Sequence, residues 1–210
     1  MKRKNYRIAV LLVVMLLGIG ALAGMVLAKY VYSTEVSGTI KFSAKLADSI
    51  VLHEHRAVKQ QDGSYRLTEG TVAENTYTLI PGLDIPKDPH ILISGKTPLP
   101  SYLYVEVVDE KKNKALSYAI SDQWMLIASA GGEHGGDVYV YTAGTGLAAP
   151  LVADPAGPIY ILQNNQVTVS QTLKQSFEEG KLQFYACMGE IPEEGNSSVL
   201  DIYKDAYSSN

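Results

Sequence analysis

The sequence lacks most of the motifs that identify common enzymes. It has no H-E-x-x-H, the helical zinc-peptidase motif, and no G-x-S-x-G, the turn that presents a nucleophilic serine. "AGTGLAAP" (143–150) has glycines but no Lys-Ser or Lys-Thr pair, so a phosphate-binding loop is not indicated. The acidic residues are scattered, without the spacing of a calcium-binding loop. We therefore predict a non-enzymatic protein without a cofactor.

Cysteine is nearly absent as well. Cys187 is the only one, so no internal disulfide can stabilise the fold, and no histidine near it in sequence would activate its thiol. It lies in "KLQFYACM", a predicted strand. We expect a partly buried, small apolar side chain there, and intermolecular pairing is the alternative.

The first 28 residues have the pattern of a targeting segment. Lys2, Arg3, Lys4 and Arg7 precede an uncharged run, 8–28, which is apolar at first and rich in glycine and alanine later. This order is typical of an export signal, with cleavage predicted between Ala28 and Lys29. The run is also about long enough to span a bilayer, so an uncleaved membrane anchor is the alternative. In both cases the remainder is placed outside the cytoplasm, and only residues 8–28 would contact the membrane.

The remaining chain, 29–210, is predicted to be one acidic domain. The whole chain has a net charge of −4, and removal of four basic residues leaves 14 basic and 22 acidic ones, a net charge of −8. Such a charge disfavours nucleic acid and anionic membrane surfaces as partners. No linker marks a second domain.

Alternation of apolar and polar residues dominates this domain. In "VSGTIKFSAKL" (36–46) the even positions are mostly apolar and the odd ones polar, which predicts a strand with one buried face. Similar runs occur at 49–58, 76–80, 90–94, 101–109, 124–129, 137–142, 158–162, 166–173 and 181–188, separated by glycine, proline and asparagine turns. This pattern predicts an all-β fold of two antiparallel sheets packed face to face. A short C-terminal helix is predicted within 198–207, from apolar residues at helical spacing.

A proline link (81–89) lies between two of these runs, in "NTYTLIPGLDIPKDPHILIS" (75–94). Pro81-Gly82 predicts a type II turn, and Pro86 and Pro89 keep the residues before them extended. We interpret the link as a stiff crossing from one sheet to another. Its charged residues are interpreted as solvated groups beside exposed strand edges, and a ligand site is the alternative: Asp84, Lys87 and Asp88.

Two histidines form the best metal-like pattern. His53 and His55, in "HEH", share one face of a predicted strand and could bind one ion with a third ligand from elsewhere. An exposed histidine face without metal is the favoured interpretation. His90 and His134 show no obvious partner in the sequence.

Three stretches resemble one family. "LAGMVLAKYVYSTEVSGTIKFSAKL" is similar to signals cut by the SipW-type signal peptidase. "YTLIPGLDIPKDPHILIS" with "SYLYVEVVD", and later "LKQSFEEGKLQFYACMGE", resemble strands of TasA- and camelysin-like exported proteins of Gram-positive bacteria. The likeness covers most of 20–190, with 110–157 poorly matched.

The resemblance implies a jelly-roll sandwich at the cell surface or in the biofilm matrix. Some family members form fibres in which one subunit's N-terminal strand completes the next subunit's sheet, by self-association or with related matrix proteins. Here that role would fall on Val36, Ile40, Phe42, Ala44 and Leu46, whose alternation suits strand addition. The alternative is that 36–46 is the first strand of its own sandwich.

Two other functions remain as alternatives. Camelysin-like relatives have been called metallopeptidases, so a surface metallo-endopeptidase using His53 and His55 is one of them. A pilin-like subunit is disfavoured, because 8–28 contains no glutamate of the kind that pilin helices carry.

Overall fold

A computed structural model describes residues 31–35, 50–93, 99–110, 115–151, 157–173, 181–193 and 197–208. These residues are mostly β-strand, with one 3-10 turn (Gln163–Asn165) and one α-helix, α1 (Val199–Ser208). The all-β prediction and the C-terminal helix are therefore confirmed. The strands are β1 (Val31–Glu35), β2 (Ile50–Lys59), β3 (Tyr65–Val72), β4 (Glu74–Thr78), β5 (Asp84–Pro86), β6 (His90–Ile93), β7 (Ser101–Asp109), β8 (Leu116–Ser117), β9 (Trp124–Ala128), β10 (Asp137–Tyr141), β11 (Ile159–Tyr160), β12 (Gln166–Val169) and β13 (Leu182–Glu190).

The described strands pair antiparallel throughout, in four hydrogen-bonded sheets. Two sheets have four strands, in the orders β13-β7-β10-β9 and β11-β6-β2-β3. A three-stranded sheet has the order β5-β12-β8, and β1 pairs with β4 in a two-stranded sheet. The antiparallel prediction is thus confirmed.

Side chains from both four-stranded sheets share the main core. In β7, every second residue from Leu103 to Val107 enters this core, while Tyr104 and Glu106 point to the opposite face. Alternation along a strand separates the two faces in this way. The core residues from the four strands in question are Ile50 and Leu52 of β2, Ile91 of β6, Leu103, Val105 and Val107 of β7, and Leu182, Phe184, Ala186 and Met188 of β13.

Helix α1 covers the other face of the β7–β13 sheet. Ile202, Tyr203 and Tyr207 are buried against a second cluster that includes Tyr104 and Cys187. The helix begins after Ser198, whose Oγ accepts a hydrogen bond from Asp201 N (3.1 Å) and donates one to Asp201 Oδ2 (2.6 Å). This reciprocal cap resembles a capping box, with aspartate in place of glutamate. The helix therefore has both a defined start and an apolar face to bury.

The proline link crosses between sheets, as predicted. It leaves β4 of the two-stranded sheet, passes through β5 of the three-stranded sheet, and enters β6 beside β2. Leu83 N donates to Ile80 O (2.9 Å) and Gly82 has φ +79°, which together define the predicted type II turn.

The interpretation of the link's charged residues was wrong for two of the three. Asp84 is exposed, and its Oδ1 accepts a hydrogen bond from Thr168 (2.7 Å). Lys87 and Asp88, by contrast, are buried, at 0% and 4% exposure. Their burial is tolerated because each has a charged or polar partner on β2, at Glu54 and His55.

Several predicted features lie outside the described residues. These are the cleavage site at Ala28 and Lys29, the segment 8–28, and the strand-donation residues Val36, Ile40, Phe42, Ala44 and Leu46. Among the described residues, no helix has both the length and the apolarity needed to cross a bilayer.

Cys187 is more buried than the sequence indicated, at 1% exposure. Burial raises the pKa of its thiol to about 12. At pH 8 we expect iodoacetamide to label it at least about 10³-fold more slowly in the folded protein than in denaturant, because the thiolate is the reactive form. Mass spectrometry of timed samples measures both rates. Equal rates, or a disulfide-linked dimer on a non-reducing gel, would contradict the burial.

Candidate metal centre

Three of the four histidines of the chain meet on the outer face of the β2–β6 pair. His53 and His55 alternate with the inward-facing Leu52 and Glu54 along β2. His90 of β6 lies directly opposite His53 in the antiparallel register. The predicted shared face of His53 and His55 is therefore correct, and β6 adds a third imidazole to it.

Asp88 holds two of these imidazoles. Its Oδ1 accepts a hydrogen bond from His55 N (2.9 Å), and its Oδ2 lies 2.5 Å from His55 Nδ1. The backbone oxygen of Asp88 lies 2.8 Å from His90 Nδ1. Because a carbonyl and a carboxylate only accept, both rings donate from a protonated Nδ1, and in the neutral form of each ring the lone pair is on Nε2.

His55, Asp88 and His90 form a candidate metal centre. Their ligand atoms lie within 4.8 Å of one another, and the rings of His55 and His90 have centres 5.2 Å apart. His53 is not part of this group, and its ring centre lies 6.4 Å from that of His90. The sequence named His55 as a metal candidate, and it named Asp88 only in the separate, alternative ligand site of the proline link. It wrongly left His90 without a partner, since its partner is the backbone oxygen of Asp88, and a sequence pattern does not show backbone contacts of side chains.

The centre is mostly shielded from water. His90 is 3% exposed, the Asp88 side chain 5%, and the His55 side chain 31%. Tyr160 of β11 lies opposite His90 in register and contacts its ring, with centres 5.4 Å apart. The pKa of His53 is lowered, first by burial and then by repulsion from His90 and His55. Because His53 and His55 are the partly exposed members of the face, a ligand would approach along the edge that they form.

A β-bulge shapes β2 beside the centre. The register with β3 shifts between His55 and Ala57, which leaves backbone groups unpaired by the ladder. Asn75 bonds these groups: its Oδ1 accepts from Ala57 N (2.8 Å) and its Nδ2 donates to His55 O (2.8 Å). The backbone of His55 is therefore fixed from two sides, by Asn75 and by Asp88.

A buried ion pair lies beneath the centre. Lys87 Nζ is 2.6 Å from Glu54 Oε2, and both side chains are fully buried. The ammonium also lies 5.9 Å from the Tyr77 ring centre and 5.7 Å from that of Phe184. Burial raises the pKa of Glu54 and lowers that of Lys87, and each partner's charge opposes the shift of the other. Two pairs of adjacent residues therefore join β2 to the proline link. Glu54 bonds Lys87 on the inner face, and His55 bonds Asp88 on the outer face.

A second histidine–carboxylate pair lies at the other four-stranded sheet. Glu106 of β7 is fully buried and accepts hydrogen bonds from His134 N and Gly136 N (both 2.8 Å) and from Tyr203 OH (3.3 Å). His134 Nδ1 lies 2.9 Å from Glu106 Oε2, and its ring stacks on Tyr185 at 3.7 Å. His134 therefore has a partner, contrary to the sequence interpretation.

This second pair is a structural tie. A Cβ at Gly132 would lie 2.2 Å from Glu106 Oε1, so "GGEHGG" wraps the carboxylate too closely for a side chain at that position. The two Glu106 oxygens are occupied by donors from the loop and from α1. We therefore assign it to joining the β9–β10 loop, β7 and α1.

Comparison of the chain with protein-family models, curated proteins and solved structures finds no match. The resemblance to TasA- and camelysin-like proteins therefore stays a prediction.

Proposed function

We propose that this chain is an exported structural subunit of the cell surface or biofilm matrix, without catalytic activity. The observation that carries the proposal is the place of the N-terminal strand. Within the described residues, β1 pairs with β4 alone, in a sheet separate from the two large ones. Its five residues match Thr78 to Glu74 in order. A strand whose described β-pairing is one short ladder is suited to exchange between copies.

Strand exchange follows from the chemistry of sheet edges. If β1 leaves, β4 presents free N–H and C=O groups that an identical strand from another copy can pair with. The predicted donor residues 36–46 follow β1 directly and would extend the same exchange. We propose self-association by this route, with related matrix proteins as further partners. In the same proposal, a SipW-type signal peptidase removes residues 1–28.

The finer fold belongs to the same proposal. We propose that 29–210 form one sandwich of jelly-roll type, in which the two four-stranded sheets are the facing layers. Support comes from their shared core, and from the proline link, which carries the chain from one sheet to another. A single core is typical of one domain.

The second candidate is a camelysin-like surface metallo-endopeptidase. The specific observation in its favour is the group of His55, Asp88 and His90. Against it, Glu54, the glutamate next to His55 in sequence, points to the opposite face and is bound by buried Lys87. A peptidase needs a base within reach of the attacking water. Chelator-sensitive casein cleavage, lost in His55→Gln, would favour this candidate.

The proposal is tested on the extracellular form of the protein. We expect N-terminal sequencing to give a start at Lys29 and electron microscopy of the concentrated protein to show filaments. Deletion of 29–46 should abolish the filaments, whereas His53→Gln, a change on β2 of a four-stranded sheet, should leave them intact. A membrane-bound monomer, or filaments unchanged by the deletion, would overturn the proposal.

A further inference from the structure

The hydrogen bonds of Asp88 prepare two imidazoles for a ligand. His55 and His90 both use Nδ1 to bond Asp88, one to its carboxylate and one to its backbone oxygen. Histidines that bind metals almost always donate their other ring N–H to a carboxylate or carbonyl in this way. Here one residue orients both rings.

The spacing of the two rings suits a tetrahedral ion. With metal–nitrogen bonds of about 2.0–2.1 Å, each ring centre lies roughly 3.2 Å from the metal, and two centres at a tetrahedral angle are about 5.2 Å apart. The observed separation of the His55 and His90 ring centres is 5.2 Å. The 6.4 Å between His53 and His90 is wider, so His53 would rotate inwards to bind.

The frame around the rings is rigid. Asp88 lies between Lys87, which is locked to Glu54, and Pro89, which keeps Asp88 extended. The backbone N–H of His55 also bonds Asp88, so the two residues keep one geometry. Imidazoles that are already held in place lower the ordering cost of binding an ion.

We propose that His55 and His90 bind a first-row transition metal ion, Zn²⁺ in the first place, with His53 as the third imidazole and Asp88 as the residue that orients two of them. Imidazole nitrogen suits zinc and its neighbours, whereas calcium and magnesium prefer sites made of oxygen. The ion would join β2 to β6 on the outer face. This site does not depend on strand exchange, so its failure would leave the proposed function standing.

Zinc binding is measured on the full purified chain after removal of metals with a chelator. We expect equilibrium dialysis against ZnCl₂, read by elemental analysis, to give one Zn²⁺ per chain. His55→Gln should weaken affinity at least about 100-fold, and Asp88→Asn by roughly 10–100-fold as the loss of an orienting partner. The matched control is His134→Gln, which also removes a carboxylate-paired histidine and should bind as the parent does.

A measurement on the unchanged protein guards against variants that fail to fold. Co²⁺ added to the metal-free chain should give the visible absorption of a tetrahedral site with nitrogen ligands, and Zn²⁺ should displace it. Saturating Zn²⁺ should raise the Tm by about 5–10 °C. The proposal is overturned by the absence of stoichiometric zinc, by binding that survives His55→Gln, or by binding that His134→Gln abolishes.

Discussion

Lys87→Met is expected to lower the free energy of unfolding by about 3–5 kcal/mol, one of the two largest effects we expect for a single substitution in this chain. The reason is that the substitution leaves Glu54 buried without its ion-pair partner. Glu54 is fully buried, and without the ammonium 2.6 Å away its carboxylate has no opposite charge. Urea unfolding followed by the fluorescence of Trp124, the single tryptophan, measures the loss.

The double variant Glu54→Leu with Lys87→Met separates charge from packing. Replacing both members of a buried ion pair by apolar residues is often neutral or stabilising, so we expect most of the loss to be recovered. Lys59→Met, at the exposed end of β2, is the control and should change stability by no more than about 0.5 kcal/mol. If the double variant is as unstable as Lys87→Met, the loss comes from packing against Tyr77 and Phe184 and our account is wrong.

The cost of Lys87→Met should also depend on pH. Burial raises the pKa of Glu54 while the charge of Lys87 lowers it, so removing the lysine raises that pKa further. A carboxyl with a raised folded-state pKa stabilises the fold as pH falls through that pKa, because the folded state then holds a proton that the unfolded state releases. The difference between variant and parent should therefore be smaller at pH 5 than at pH 7.5.

Glu106→Leu is the second substitution with a large expected effect, again about 3–5 kcal/mol. It removes the acceptor for His134 N, Gly136 N and Tyr203 OH at a fully buried position, and each stranded donor costs about 1–3 kcal/mol. The loss should appear in urea unfolding and as faster hydrogen exchange at the amides of His134 and Gly136.

The control for this substitution is the neighbouring glutamate. Glu133→Leu changes an exposed carboxylate in the same loop and should shift stability by no more than about 0.5 kcal/mol. Equal losses for the two variants would show that Glu106 is not the acceptor that holds the loop.

Strand positions could be predicted where aromatic and β-branched residues dominate. The predicted strand 101–109 matches β7 at both ends, because its tyrosines and valines suit a strand that is buried on both faces. β3 was missed because its apolar–polar alternation stops after Thr68, where most of the following residues are exposed. An edge strand depends on backbone pairing, and its sequence carries little sign of that.

The site could be predicted only in part, because its members come from two distant segments. His53 and His55 share a face by local geometry alone. Asp88 and His90 join them through the β2–β6 register and the shape of the proline link, with 33 residues between His55 and Asp88. Lys87 looked solvated because a lone charge is costly to bury, and only its pairing with Glu54 makes that burial acceptable.

The two neighbouring pairs, 54 with 87 and 55 with 88, also favour a single alignment of β2 with the proline link as the chain folds. If either segment slipped by one residue as the chain folds, a charged group meant for the interior would face water while an imidazole faced the core. Such a misaligned intermediate would lose both side-chain pairs at once. Its two segments should separate again before the rest of the sheet forms.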